Sequence, residues 1–176
     1  MKPAFAVWLT GLPASGKTTL AHELRRKLSA HGIQSVIIDS DEMRKILTPA
    51  PTFSREERDW FYGAIAQLAK WLADGGVNVL IAATANRRAY RDAARKQIER
   101  FAEVYVRCSI DECRRRDPKG LYAKAAAGKI NYVPGAGSDF EEPLNAELIV
   151  DSDRIATDEA ADAVLKKLDE MGFLTQ

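Results

Sequence analysis

Eight consecutive residues, Gly11-Leu12-Pro13-Ala14-Ser15-Gly16-Lys17-Thr18, have the types and spacing that one chemistry needs. Glycines at either end let the backbone wrap tightly enough for its N–H groups to converge on phosphate oxygens. Lys17 supplies a cation for the β- and γ-phosphates, and the Thr18 hydroxyl is a ligand for Mg²⁺. The block reads as a P-loop, with Thr19 grouped beside it, so ATP and Mg²⁺ are the expected cofactors. Three further groups carry charge where phosphoryl transfer would use it. In Asp39-Ser40-Asp41 two carboxylates could serve a bound Mg²⁺ and accept a proton from an attacking hydroxyl, although a plain surface turn or helix N-cap favours the same residues. Arg88 and Arg91 could face an anionic substrate, or belong to the solvated face of a helix that also carries Arg87 and Arg95. Arg114-Arg115-Arg116-Asp117-Pro118-Lys119 could close guanidinium groups over the transferring phosphoryl, or end a solvated helix. His22 and His31 lack the neighbours of a catalytic base, and Cys108 and Cys113 read as ordinary thiols.

Something must position these groups. The chain alternates short apolar runs with helical patterns, as a parallel sheet covered on both faces requires. Strands are expected at residues 4–10, 33–38, 77–82, 103–108 and 146–150. The fold class is therefore α/β: a P-loop NTPase fold, with a five-stranded parallel sheet and helices on both faces. The helical patterns fall at 18–30, 42–47, 54–73, 88–101, 110–116 and 157–171, with Ser54 and Glu57 placed as a capping box. Trp60, Phe61, Tyr62 and Trp71 are expected in the core along one broad helical face. From 119 to 143 the periodicity fails and Gly, Pro, Asn and Ser accumulate, so a mobile lid is expected at about 114–143, with a helical piece near 122–127. In such sheets ligands bind beyond the carboxyl ends of the strands, where the charged groups stand.

With 176 residues, 46% hydrophobic and 29% charged, the whole chain suits one kinase domain. Lys and Arg number 26 against 25 acidic residues, a formal charge of +1. That balance points to a small-molecule partner and away from nucleic acid or membrane. Met1-Lys2-Pro3 leads straight toward the first strand and no apolar run is long enough to span a bilayer, so a cytoplasmic location is expected.

The P-loop with Thr19-Leu20, the run Asp39-Ser40-Asp41-Glu42-Met43-Arg44, Phe53-Ser54 with Arg58, and above all Arg116-Asp117-Pro118-Lys119-Gly120-Leu121-Tyr122 resemble adenylyl-sulfate kinases (APS kinases). The resemblance continues through Lys124-Ala125, Gly128, Ile130, Gly135, Ser138-Asp139-Phe140-Glu141 and Pro143, and covers residues 4–155. It implies transfer of the ATP γ-phosphate, with Mg²⁺, to the 3′-hydroxyl of adenylyl sulfate, giving the activated donor of sulfation and sulfate assimilation. It also implies homodimerisation. Carried over by position, Asp39 and Asp41 serve Mg²⁺ and the acceptor hydroxyl, Arg44 and Arg58 the phosphosulfate, and Phe53 stacks on the acceptor base. Arg88 also faces the acceptor, while Lys119 and Arg116 belong to the lid.

Departures gather on the acceptor side. Where the family usually has Asn-Ile-Arg-Arg, this chain has Phe61-Tyr62-Gly63-Ala64; its Phe-Ile-Ser-Pro-Tyr-Arg becomes Ala83-Thr84-Ala85-Asn86-Arg87-Arg88. The Lys and the aromatic of Ile-Lys-Asn-Phe-Thr-Gly become Asn131 and Val133, with Tyr132 next door. A different nucleotide-like or sugar-phosphate hydroxyl is accordingly the alternative acceptor. A non-catalytic nucleotide-binding module is a further alternative, for which the chain lacks a guanine-reading Asn-Lys-x-Asp string.

Overall fold

β1 (Ala6–Thr10) is buried along its whole length, because helices cover both faces of the sheet it centres. The structure, a computed structural model, describes residues 4–174; Met1-Lys2-Pro3 falls outside the described residues. After β1 come α1 (Lys17–Ala30), β2 (Ser35–Asp39), α2 (Ser40–Leu47), α3 (Arg55–Asp74), β3 (Asn78–Ala82) and α4 (Arg88–Gln97). The chain continues through β4 (Phe101–Arg107), α5 (Ile110–Arg116), α6 (Leu121–Ala126), the two-residue strands β5 (Val133–Pro134) and β6 (Gly137–Ser138), β7 (Leu148–Asp151) and α7 (Thr157–Glu170). Five strands form the parallel sheet in the order β2-β3-β1-β4-β7, with Trp8 opposite Ile81 on one side and Glu103 on the other. The chain winds one way from β1 and then the other, so the loop leaving β1 opens at the switch point between β3 and β4.

Alternation along β1 divides the core. Val7 and Leu9 pack with Leu24 and Leu28 of α1 and Val164 and Leu168 of α7. Ala6 and Trp8 pack on the opposite face with Phe61 and Ile65 of α3 and Ala94 of α4. Each fully buried large side chain contributes roughly 1.5–3 kcal/mol of transfer free energy, so the two layers are what fixes the strand ends in space. Among the described residues no helix is long and apolar enough to cross a membrane.

Several expectations are corrected. Trp60 and Trp71 are 54% and 66% exposed, while Phe61 and Tyr62 are buried as expected. Three consecutive aromatic positions sweep about 200° of a helix, more than the one face that α3 can turn to the sheet. The basic helix expected to reach 101 stops at Gln97, because Phe101 is already paired with Ala6. Tyr122 and Val133 of the expected lid join Cys108 and Cys113 in a third buried cluster, packed by Leu12, Ala14, Ile110 and Ile130. The helical piece expected near 122–127 is α6, and the lost periodicity around it reflects short elements packed on this small core.

Candidate active site

The P-loop leaves β1 through backbone that only glycine tolerates well. A Cβ on Gly11 would overlap the Val106 carbonyl, and Gly16, at φ 95, turns the chain into α1. Lys17 is the first residue of α1, and its buried ammonium donates to the carbonyls of Gly11 (3.1 Å) and Leu12 (2.8 Å). Burial pushes that ammonium down to about 8, against the opposing attraction of Asp41. Tyr122 donates from its hydroxyl to the Pro13 carbonyl at 3.0 Å, and Ser152, just past β7, donates to the Ser15 carbonyl at 2.7 Å. The loop is thus braced from α6 and from the end of β7.

Asp39 makes two bonds at the acidic turn. Its Oδ1 accepts from the Asp41 backbone N–H (2.8 Å), capping α2, while its Oδ2 accepts from the Thr18 hydroxyl at 2.6 Å. Asp41, two residues on, pairs with Lys119 between α5 and α6. Of the three consecutive arginines only Arg116 reaches the cleft. Its Nε donates to Glu112 (2.8 Å) and its Nη2 to the Ser152 carbonyl (2.8 Å), whereas Arg114 and Arg115 pair with Asp111 and Glu112 on the surface. Two arginines on one carboxylate hold Glu112 down at about 2. Cys108 and Cys113 are free and buried behind the loop, and burial pushes Cys113 up to about 12, which leaves no thiolate at neutral pH.

Phe53 and Tyr132 form the far wall of the same cleft, their rings stacked with centroids 4.0 Å apart. Phe53 sits at φ 55, a left-handed backbone that a bulky residue keeps only when its neighbours impose it. Here Glu57 accepts from Phe53 N and from both Thr52 donors, and Arg58 Nε donates to the Phe53 carbonyl at 3.0 Å. Burial pushes the Glu57 carboxyl up, but those hydrogen bonds outweigh it and hold it below the usual carboxylate range. The Ser54 hydroxyl accepts from Glu57 N at 3.2 Å, so the capping box is half made: the Glu57 carboxylate goes to the Phe53 loop and to Arg44 (2.9 Å). Arg44 also lies over the Phe61 ring, 3.9 Å from its centroid, so Phe61 supports a cleft arginine from below.

The cleft, about 960 Å³, therefore gathers Pro13, Ala14 and Gly16–Thr19 of the expected loop with Asp39, Asp41, Arg44, Phe53, Arg58, Arg116 and Lys119, while Gly11, Leu12 and Ser15 lie outside its walls. Arg88 and Arg91 are not among its walls. Arg88 donates to the Glu142 carbonyl at 3.3 Å, and Arg91 is 1% exposed, bound to Glu103 at 2.6 Å. Both sit past β3 in the first turn of α4, and they are engaged with the backbone of residues 141–142 and, for Arg91, with Glu103 of β4. Tyr132, Glu57 and Ser152 are wall and brace residues that pattern alone did not place at the site, Glu57 having been read only as a helix cap. An aromatic one position from the expected one was the only signal for Tyr132.

The family model of adenylylsulphate kinase matches residues 3–151. The chain is 42% identical over 170 residues to a probable adenylyl-sulfate kinase of Pyrococcus abyssi, covering 97% of this chain and 98% of that one. An adenylyl-sulfate kinase of Picosynechococcus is 38% identical, covering 96% of each. Among solved structures, an APS kinase of Mycobacterium tuberculosis in complex with AMPPNP and APS superposes with a TM-score of 0.89 at 37% identity, covering 95% of this chain and 98% of that one. A sugar kinase from Janibacter, at 19% identity and a TM-score of 0.70 over 99% of both chains, shares the fold alone.

Proposed function

This chain belongs to the adenylyl-sulfate kinase family, and from that premise we propose how its own residues divide the transfer of the ATP γ-phosphate to the 3′-hydroxyl of adenylyl sulfate (APS). The observation that carries the assignment is the convergence of Lys17 and Thr18 with Asp39, Asp41 and Lys119 in one cleft. The backbone N–H groups of Gly11–Thr18 and the adjoining Thr19 cradle the ATP phosphates, and Lys17 exchanges its two loop carbonyls for phosphate oxygens. Mg²⁺ fits the donors present: a hydroxyl and a carboxylate 2.6 Å apart are hard oxygen ligands, and such sites leave the other positions to phosphate and water. Thr18 and Asp39 would hold it, and when bound it neutralises charge on the phosphates.

Asp41 accepts the proton of the acceptor hydroxyl, and Lys119, its partner across the cleft, swings to the phosphates as the proton is taken up. Arg116, held by Glu112 and the Ser152 carbonyl, presents its remaining N–H groups where charge accumulates in transfer. The acceptor base stacks between Phe53 and Tyr132, which must part from 4.0 Å to admit it. Arg44 and Arg58 stand beside the rings to take its anionic end. Homodimerisation and a cytoplasmic location belong to the same reading, and sedimentation velocity and cell fractionation test them.

Coupled detection of ADP release, with APS against a panel of nucleosides and sugar phosphates, tests the acceptor. APS-dependent release is expected. Its absence, with release stimulated by another hydroxyl, would overturn the acceptor assignment in favour of the alternative that Gly63 and Ala64 suggest, where no side chain offers an anion a cation. ATP binding without stimulation by any acceptor would overturn the kinase reading itself.

A further inference from the structure

We infer that Asn86 is a positioning residue for the acceptor half of the cleft, acting through Arg58; the inference rests on the acceptor site proposed above. Asn86 is buried and forms no part of the cleft wall. Its Oδ1 accepts from Arg58 Nη1 at 3.0 Å, its Nδ2 donates to the Asp139 carbonyl at 3.1 Å, and its own carbonyl accepts from Glu141 N at 2.7 Å. Arg58 uses its other two nitrogens on the ring pair. Nε donates to the Phe53 carbonyl at 3.0 Å and Nη2 to the Tyr132 carbonyl at 2.8 Å. One guanidinium therefore holds the backbone behind both stacked rings, and one carboxamide fixes the guanidinium.

The loop that carries Asn86 is a firm base for this. Trp8 Nε1 donates to the Ala83 carbonyl (3.1 Å), Thr10 Oγ1 to the Thr84 carbonyl (2.7 Å), and Arg91 Nη1 to the carbonyl of Ala85, a residue held at φ 42. Arg91 Nη2 also donates to the Glu141 carbonyl at 2.6 Å, so the segment returning from the lid is tied to the same loop. Asn86 thus joins three segments far apart in sequence: the start of α3, the loop after β3 and the lid return. Without its Oδ1, Arg58 Nη1 is left in a buried site lacking a partner, and the guanidinium turns to find one. Both ring backbones then lose their common reference. When the rings part for a base, Tyr132 moves with the lid cluster while Arg58 stays on Asn86 and Phe53, and the freed Nη2 turns to the acceptor.

Asn86→Ala, Asn86→Asp and Arg58→Lys test this, with KM for APS and for ATP, kcat, and thermal midpoint measured on each. Asn86→Ala is expected to raise KM for APS at least tenfold while KM for ATP stays within twofold. Asn86→Asp, which keeps an acceptor for Arg58 but sets a carboxylate oxygen against the Asp139 carbonyl, is expected to recover only part of the loss in KM for APS. On the Arg58→Lys background, Asn86→Ala is expected to add less than twofold. Unchanged KM for APS in Asn86→Ala, a parallel rise in both KM values, or full additivity with Arg58→Lys would overturn the inference. Backbone hydrogen exchange across residues 132–141 reads the clip without any acceptor. Faster exchange there in Asn86→Ala supports it even if APS proves not to be the acceptor, and unchanged exchange overturns it.

Discussion

At the scale of single residues, Lys17 links the cleft to pH. Its ammonium is buried and its pKa pushed down to about 8, so the charged form is unfavourable in the folded protein. Below pH 8 that cost is fully present. Between about 8 and 10.5 the folded chain has released the proton and the unfolded chain still holds it, so this group's contribution to stability rises with pH. Lys17→Met should therefore abolish ATP binding yet stabilise the nucleotide-free protein by up to roughly 3 kcal/mol at pH 7. The gain should shrink toward pH 10 in urea titrations; a gain that grows with pH would contradict it. Phosphates restore the charge, so calorimetry near pH 8 in buffers of different ionisation enthalpy should register proton uptake on ATP binding. Asp41→Asn should lower turnover at least tenfold and leave ATP affinity intact, because accepting a proton matters chiefly in the transition state. Unchanged turnover would remove Asp41 from the mechanism.

Between single residues and the whole stand α3 and the lid. α3 brings Arg58 to the cleft and Phe61 beneath Arg44 with one face, and leaves Trp60 and Trp71 outside. Replacing either exposed tryptophan by Ser should shift stability by no more than about 0.5 kcal/mol, whereas Trp8→Ala, at the fully buried centre of the sheet, should cost about 3–5 kcal/mol by denaturant titration. Comparable losses at both kinds of site would mean that the α3 face is covered in solution. In the lid, Tyr132→Ala should raise KM for APS at least tenfold while Tyr132→Phe stays near the unaltered value, since stacking needs the ring and not the hydroxyl. Steady-state kinetics with APS varied would show it, and equal effects of the two variants would dismiss the stacking role.

For the whole molecule, the Arg91–Glu103 pair under α4 joins the sheet to the segment that returns from the lid, with Arg95 and Glu147 extending the network. Glu103→Ala should destabilise the fold by about 3–5 kcal/mol, because it strands a buried guanidinium. A loss under 1 kcal/mol, read from urea unfolding, would show that water reaches Arg91. The sequence by itself determined the parallel sheet, the P-loop and the acidic turn, for local reasons: periodicity sets strands and helices, and eight contiguous residues carry their own backbone geometry. Only the tertiary structure decided which basic residues meet in the cleft. Arg88, Arg91, Arg114 and Arg116 are alike as letters, yet Arg116 alone lines it, because the nearest carboxylate or carbonyl that each can reach is set by packing between distant segments. The pairing of Phe53 with Tyr132, and the Arg58–Asn86 clip behind it, are longer-range still. They join residues dozens of positions apart whose side chains acquire partners only when the lid cluster and the sheet layers have closed.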